Sequence, residues 1–203
     1  MYIAFLTLNL TNIGETRIER YRTVQRAIPR EDSMSDEEKA YIAGFLDGDG
    51  SIMAQLVARK DYKLGYQIRV SVVFYQKTAH QKFLLWLKEQ LGYGYVRSRN
   101  DGMSEYTIVG LREVEYVLKL LSPFLRLKKV LARDVLEIIS KHPSQRKMTA
   151  TKLISLSKLV DKTASFNYSK KRTITSVKVQ DFLRNSFPVE TGIQVALNED
   201  KTI

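Results

Sequence analysis

The chain has 203 residues, 44% of them hydrophobic, and its 33 Lys and Arg against 22 Asp and Glu leave a net charge of +11. It contains no cysteine, which excludes disulfides and thiolate zinc sites and suits a reducing interior. No apolar run approaches the ~20 residues of a membrane-spanning helix, so the charge excess points to a polyanion, with nucleic acid ahead of an anionic membrane surface.

In chain order, residues 1 to 34 read as an extension outside the main domain. They open apolar (MYIAFLTLNL), turn basic (RIERYRTVQR) and close on the loop-like PREDSM. The apolar start lacks a basic leader and a cleavage site, so it is not read as a signal peptide. Ser35-Asp36-Glu37-Glu38 has the form of a capping box and predicts a helix running to Leu46 or Asp47. Residues 52–60 and 66–76 read as two strands joined by a polar turn. Residues 78–91 form an amphipathic helix stopped by Gly92. Residues 93–99 and 104–110 make a second hairpin around Asn100-Asp101-Gly102. Helices follow at 111–121, 124–141, 149–163 and 174–186. The order αββαββα plus further helices predicts an α+β fold: one four-stranded antiparallel sheet, helices on one face, a domain over 35–187 and a polar tail over 188–203.

Alternate strand residues share a face. One face collects Ile52, Ala54, Leu56, Ile68, Val70, Val72, Phe74, Val96, Tyr106 and Ile108 and is the core. The other collects Gln55, Val57 and Arg59, then Gln67, Arg69, Ser71, Val73 and Tyr75, then Arg97 and Arg99, and lastly Glu105 and Thr107. A solvated sheet face is the ordinary meaning of such alternation. This one, however, is rich in Gln and Arg, whose donors match base edges, and Val57, Val73 and Tyr75 suit apolar contact with thymine methyls or sugars.

In the stretch AYIAGFLDGDGS, residues 40–51, the small residues Ala40, Ala43, Gly44, Asp47 and Gly48 recur at helical spacing. They form a ridge on which a second backbone can lie close. Ile42, Phe45 and Leu46 turn toward the chain's own core. Glycine inside a helix costs about 1 kcal/mol relative to alanine, so two of them imply that tight packing is wanted. Asp49, flanked by Gly48 and Gly50, is a hard-cation ligand in type. It is not part of a calcium loop: counted from Asp47, the sixth place is Ile52 rather than glycine and the twelfth is Ala58 rather than glutamate.

AYIAGFLDGDGS closely resembles the LAGLIDADG motif of homing endonucleases. The resemblance extends over most of residues 38 to 165, through DGDGSI, QKT at 76–78, GYGYVR at 92–97 and PFLRLKK at 123–129. A single motif copy is similar to the homodimeric branch. The resemblance implies a four-stranded saddle sheet that lies on DNA. It implies a homodimer built on Ala43, Gly44 and Asp47, in which two motif helices meet across a two-fold axis. Asp49 would then bind Mg²⁺, with Mn²⁺ substituting, assisted by the Gly48 carbonyl of the second copy. Gln76 and Lys128 match places that order water around the metal, and Lys128 adds charge near the phosphoryl group. Where close relatives carry arginine this chain has His80, which would make the rate pH-dependent; Lys82 is the other candidate for that place, and a solvated His80 is the plain alternative. The sheet residues above would read a long, nearly palindromic double-stranded target, cut in both strands to leave short 3′ overhangs. Basic residues in 141–147 and Lys170-Lys171-Arg172 would touch phosphates. No membrane is implied; an organelle is the expected compartment. An RNA maturase and a non-catalytic DNA-binding protein are alternatives on the same scaffold.

Overall fold

The computed structural model describes residues 34–143, 147–166 and 172–187. The expected extension over 1–33, the basic residues Arg146, Lys170 and Lys171, and the tail over 188–203 lie outside them.

Helix α1 spans Asp36–Asp49. The capping box at its start is complete: Ser35 Oγ accepts from the Glu38 N–H, and Glu38 Oε2 accepts from the Ser35 N–H at 3.0 Å. The chain passes directly from Asp49 into β1, Gly50–Ala58, two residues earlier than expected. Gly50 is needed at the junction because an added Cβ would stand 2.5 Å from Leu46 Cδ1 and 2.8 Å from the Leu46 carbonyl oxygen. Strand β2 is Tyr66–Lys77. A 3₁₀ turn, Thr78–His80, follows and leads into α2, Gln81–Leu91, which ends on Gly92 at a φ of 73°. The hairpin of β3, Tyr95–Ser98, and β4, Met103–Val109, comes next. The chain closes with α3 (Leu111–Leu121), α4 (Lys129–Lys141), α5 (Ala150–Ala164) and α6 (Ser176–Ser186). The helix expected from 124 begins only at Lys129, because residues 126–128 form a turn held by a side chain of α1, described below.

The four strands are antiparallel in the order β1-β2-β4-β3. Their inner face matches the predicted core: Ile52, Ala54, Leu56, Ile68, Val70, Val72, Phe74, Tyr106 and Ile108 are buried, and Val96 is half-buried. Helix α1 adds Ile42 and Leu46, and Phe45 stacks parallel to Phe74 at 6.0 Å. Phe74 in turn stacks on Tyr106 at 5.7 Å. The fully buried Tyr106 donates its hydroxyl to the Tyr93 carbonyl at 2.5 Å, and burial pushes the phenol well above its ordinary range. Met34, just before the expected domain start, is also buried in this core.

The antiparallel pairing fixes which ends of the elements meet. Gly50 pairs with Phe74 and Lys77 with Met103. The start of β1, the end of β2, the 3₁₀ turn and the start of β4 therefore share one end of the sheet. Asp49, Gln76 and His80 sit at that end.

Candidate active site and nucleic-acid interface

The end of α1 builds the centre. Its outward stripe is Glu37, Ala40, Tyr41, Gly44 and Gly48, all exposed. Among the described residues, an added Cβ on Gly44 or Gly48 would meet nothing within 4 Å, so none of them explains either glycine. Two residues expected on that ridge lie elsewhere. Ala43 is fully buried, because it falls beside Ile42 and Leu46 on the helical wheel. Asp47 turns sideways into its own chain: Oδ2 accepts the N–H groups of Arg126 at 2.7 Å and Leu127 at 3.0 Å, and Oδ1 accepts that of Lys128 at 2.8 Å.

Asp49 is the last residue of α1, which runs past the expected end at Leu46 or Asp47, and it is exposed. Among the described residues it accepts no hydrogen bond and pairs with no cation. Beside it, Lys128 Nζ donates to the Leu46 carbonyl at 3.0 Å and to the Asp47 carbonyl. Its charge thus sits on the negative end of the α1 dipole. Burial lowers the ammonium's pKa, and the charges of Asp47 and Asp49 oppose that shift. Gln76 lies on the inner side of β2, two residues beyond the Gly50–Phe74 pair, and its Oε1 accepts the Lys77 N–H at 2.9 Å. His80 and Lys82 are both exposed at the 3₁₀ turn and the first turn of α2. A groove of ≈ 730 Å³ runs from Gly48 and Lys128 along Ser51 and Gln55 of β1 to Arg172.

The donor set fits Mg²⁺ but does not complete it. No group of three acidic or imidazole side chains forms among the described residues. One uncommitted carboxylate next to a helix-terminal carbonyl suits a hard cation that takes one or two protein carboxylates and draws its other oxygens from phosphate and water.

The outer sheet face carries the expected readers at different depths. Gln55, Arg69, Arg97 and Arg99 are exposed; Val57, Gln67, Tyr75 and Glu105 are half-buried. Ser71, Val73 and Thr107 correct the expectation, since they keep only 2%, 4% and 4% of their surface exposed. Each is a small or β-branched residue flanked on both sides: Ser71 by Met53 and Val109, Val73 by Ser51 and Thr107, Thr107 by Val73 and Tyr95. They floor the face rather than project from it. Arg59 lies just past β1, where Asp61 holds its guanidinium by two bonds of 2.8 and 2.6 Å, over the Tyr62 ring. That pairing pulls the Asp61 carboxyl down to about 2. Arg97 and Arg99 flank Glu105, at 2.7 and 3.9 Å. Arg172, expected on phosphate, instead pairs with Asp161 at 2.6 Å.

Two features escaped the sequence reading. Ser51, Met53 and Tyr95 belong to the outer face by register; alternation within the expected strands already reaches Met53 and Tyr95, and starting β1 one residue earlier adds Ser51. A hydroxyl cluster joins Ser104, Thr78, Ser98 and Gln81 at 2.8–3.4 Å. It spans 26 residues of sequence and leaves no local signal. His142 closes α4, half-buried, with Nδ1 2.8 Å from the Pro143 carbonyl.

The profile of the family described as LAGLIDADG endonuclease matches residues 42–133. Among curated proteins, the chain is 43% identical over 145 residues to DNA endonuclease I-CvuI of Chlorella vulgaris, covering 71% of this chain and 89% of that one. It is 38% identical over 143 residues to DNA endonuclease I-CreI of Chlamydomonas reinhardtii, covering 70% and 86%. Among solved structures, I-CvuI bound to its target in 2 mM Ca superposes with a TM-score of 0.71 at 40% identity, over 78% of this chain and 97% of that one. I-CvuI on the I-CreI target in 2 mM Mg, with the DNA not cleaved, gives 0.70 at 42% identity over 73% and 94%.

Proposed function

The chain belongs to the LAGLIDADG endonuclease family, and from that premise we propose that it is a site-specific homing endonuclease that cuts both strands of a long, nearly palindromic DNA duplex with Mg²⁺. One observation carries the reading. Asp49 stands at the tip of the motif helix, uncommitted, with the Lys128 ammonium beside it and the arginine-rich sheet face next to it. A protein that only binds DNA has no use for an unpaired carboxylate at the phosphate-facing end of a basic surface.

Each residue has a definite task in that reading. Asp49, with the Gly48 carbonyl, would hold the divalent cation. When bound, the cation supplies Lewis acidity at the scissile phosphodiester. Lys128 holds positive charge where the phosphoryl group gains negative charge. Gln76 orients water from the inner edge of β2 through the amide face not engaged by Lys77. His80 stands at the same end of the sheet, in the place where close relatives carry arginine, with Lys82 two residues on as the other candidate for it. Gln55, Arg69, Arg97 and Arg99 reach into the major groove, with Gln67 and Tyr75 set lower between them.

A single copy supplies one carboxylate, whereas two strands must be cut. A homodimer through the outward stripe of α1 supplies the second; the open space at Gly44 and Gly48 and the 58% exposure of Tyr41 support that face as the contact.

The test uses purified protein on a partially randomised duplex library built around the I-CvuI target. Mg²⁺ should yield double-strand cuts with short 3′ overhangs at a selected site. Asp49→Asn should bring cutting below detection while the affinity for that site stays within about 2-fold. Cutting at the parental rate by Asp49→Asn, or no cut by the parental protein at any site, would overturn the reading.

A further inference from the structure

We propose that Asp47 is a positioning residue for Lys128, acting through a reciprocal clasp between the last turn of α1 and the turn that precedes α4; the inference rests on the endonuclease reading of this site.

Sequence alone placed Asp47 on the ridge facing a second copy. The structure commits both of its carboxylate oxygens within the chain, to three successive N–H groups 79–81 residues away. The clasp runs in both directions. Asp47 sends its carboxylate to the amides that precede α4, and Lys128 returns its ammonium to the last carbonyls of α1. Each charge sits at the helix end whose dipole it complements: an anion before the start of α4, a cation at the end of α1. Helix α4 has no side-chain cap from Lys128, its N-cap residue; Asp47, from another element, supplies the acceptor for the N-cap N–H itself and for the two amides before it.

Among the described residues, no buried apolar side chain of 126–128 fixes this turn. Arg126 is exposed, and Leu127 keeps 71% of its surface in solvent. Only Leu125, just before it, is anchored in the core. Apolar packing therefore does not decide where residue 128 points; the carboxylate does. Asp49 lies two residues beyond Asp47 on the same helix, so the clasp joins the metal-holding carboxylate and the lysine into one rigid unit. Asp47 is thus withdrawn from two other roles its position suggests. It has no free oxygen for a cation, and it does not face a partner helix.

Asp47→Asn tests this with little change of volume. The amide keeps one acceptor oxygen and turns its NH₂ toward a backbone donor, so at least one of the three bonds becomes a donor–donor clash. Hydrogen exchange at the amides of residues 126–128, followed without DNA or metal, should accelerate by about 10-fold or more, while the amides of Val70 and Val72 in the central strand stay as slow as in the parent. On the duplex selected above, affinity in EDTA should stay within about 2-fold, and the single-turnover cutting rate at saturating protein should fall by about 10-fold or more. Lys128→Met should lower the rate as well. The double variant should then cut little more slowly than Lys128→Met alone, since residues acting as one unit are not additive. Retained protection at 126–128 in Asp47→Asn, a parental cutting rate, or losses that multiply in full in the double variant would each overturn the clasp. A parental protein that cuts nothing would remove the endonuclease reading, and the exchange measurement would still decide whether Asp47 holds the turn.

Discussion

At the scale of single residues, the glycines of the motif differ in what they answer to. Gly50 answers to its own helix. An added methyl would lie 2.5 Å from Leu46 Cδ1 and 2.8 Å from a backbone oxygen that cannot move aside. Gly50→Ala should therefore destabilise the fold by about 1–3 kcal/mol, read as a lower urea midpoint at unchanged slope. Gly44 and Gly48 answer to nothing among the described residues. The letters of the motif could not separate these cases, since spacing gives the angle around a helix and not what stands beyond it. The same limit explains Asp47, whose three partners are about 80 residues away. Asp49 was legible because its neighbours in sequence are its surroundings in space. Lys128 was legible only through the PFLRLKK resemblance; nothing local announces that its ammonium reaches the end of α1.

At the scale of elements, the sequence was most readable where one period governs. The strands alternated strictly enough to sort inner from outer residues, and every predicted core position on β1, β2 and β4 is buried. Alternation gives the side but not the depth. Depth needed the strand order β1-β2-β4-β3, which puts Ser71, Val73 and Thr107 between neighbours on both sides. Helix boundaries failed where a tertiary bond intervenes, as in the turn before α4. The end of α4 brings a pH dependence. Burial lowers the pKa of His142, so the folded state favours the neutral ring. Its contribution is intact above the ordinary imidazole value of about 6.5 and is lost as the pH falls through the lower folded value. The melting temperature should drop between pH 7 and 5, and His142→Gln should flatten part of that slope. An unchanged slope would mean other groups govern it.

At the scale of the whole molecule, the net charge of +11 and the outer face belong together. Two arginines of that face are held near carboxylates, Arg97 by Glu105 and Arg99 by Asp101 and Glu105. Their forks are oriented before any ligand arrives. The outward stripe of α1 gives the assembly a simple test. Gly44→Leu should leave the monomer fold intact, because its side chain meets open space within the chain. In sedimentation it should shift the protein from dimer to monomer and abolish double-strand cutting. A dimer that persists would place the contact elsewhere.

The buried floor of the outer face also bears on how such a protein can drift toward new targets. Ser71, Val73 and Thr107 are hemmed in by both neighbouring strands, so larger residues there disturb the sheet as well as any ligand. The raised positions Gln55, Arg69, Arg97 and Arg99 carry no such burden. A lineage can exchange them one at a time and leave the scaffold untouched, so packing constrains the middle and leaves the rim open to change.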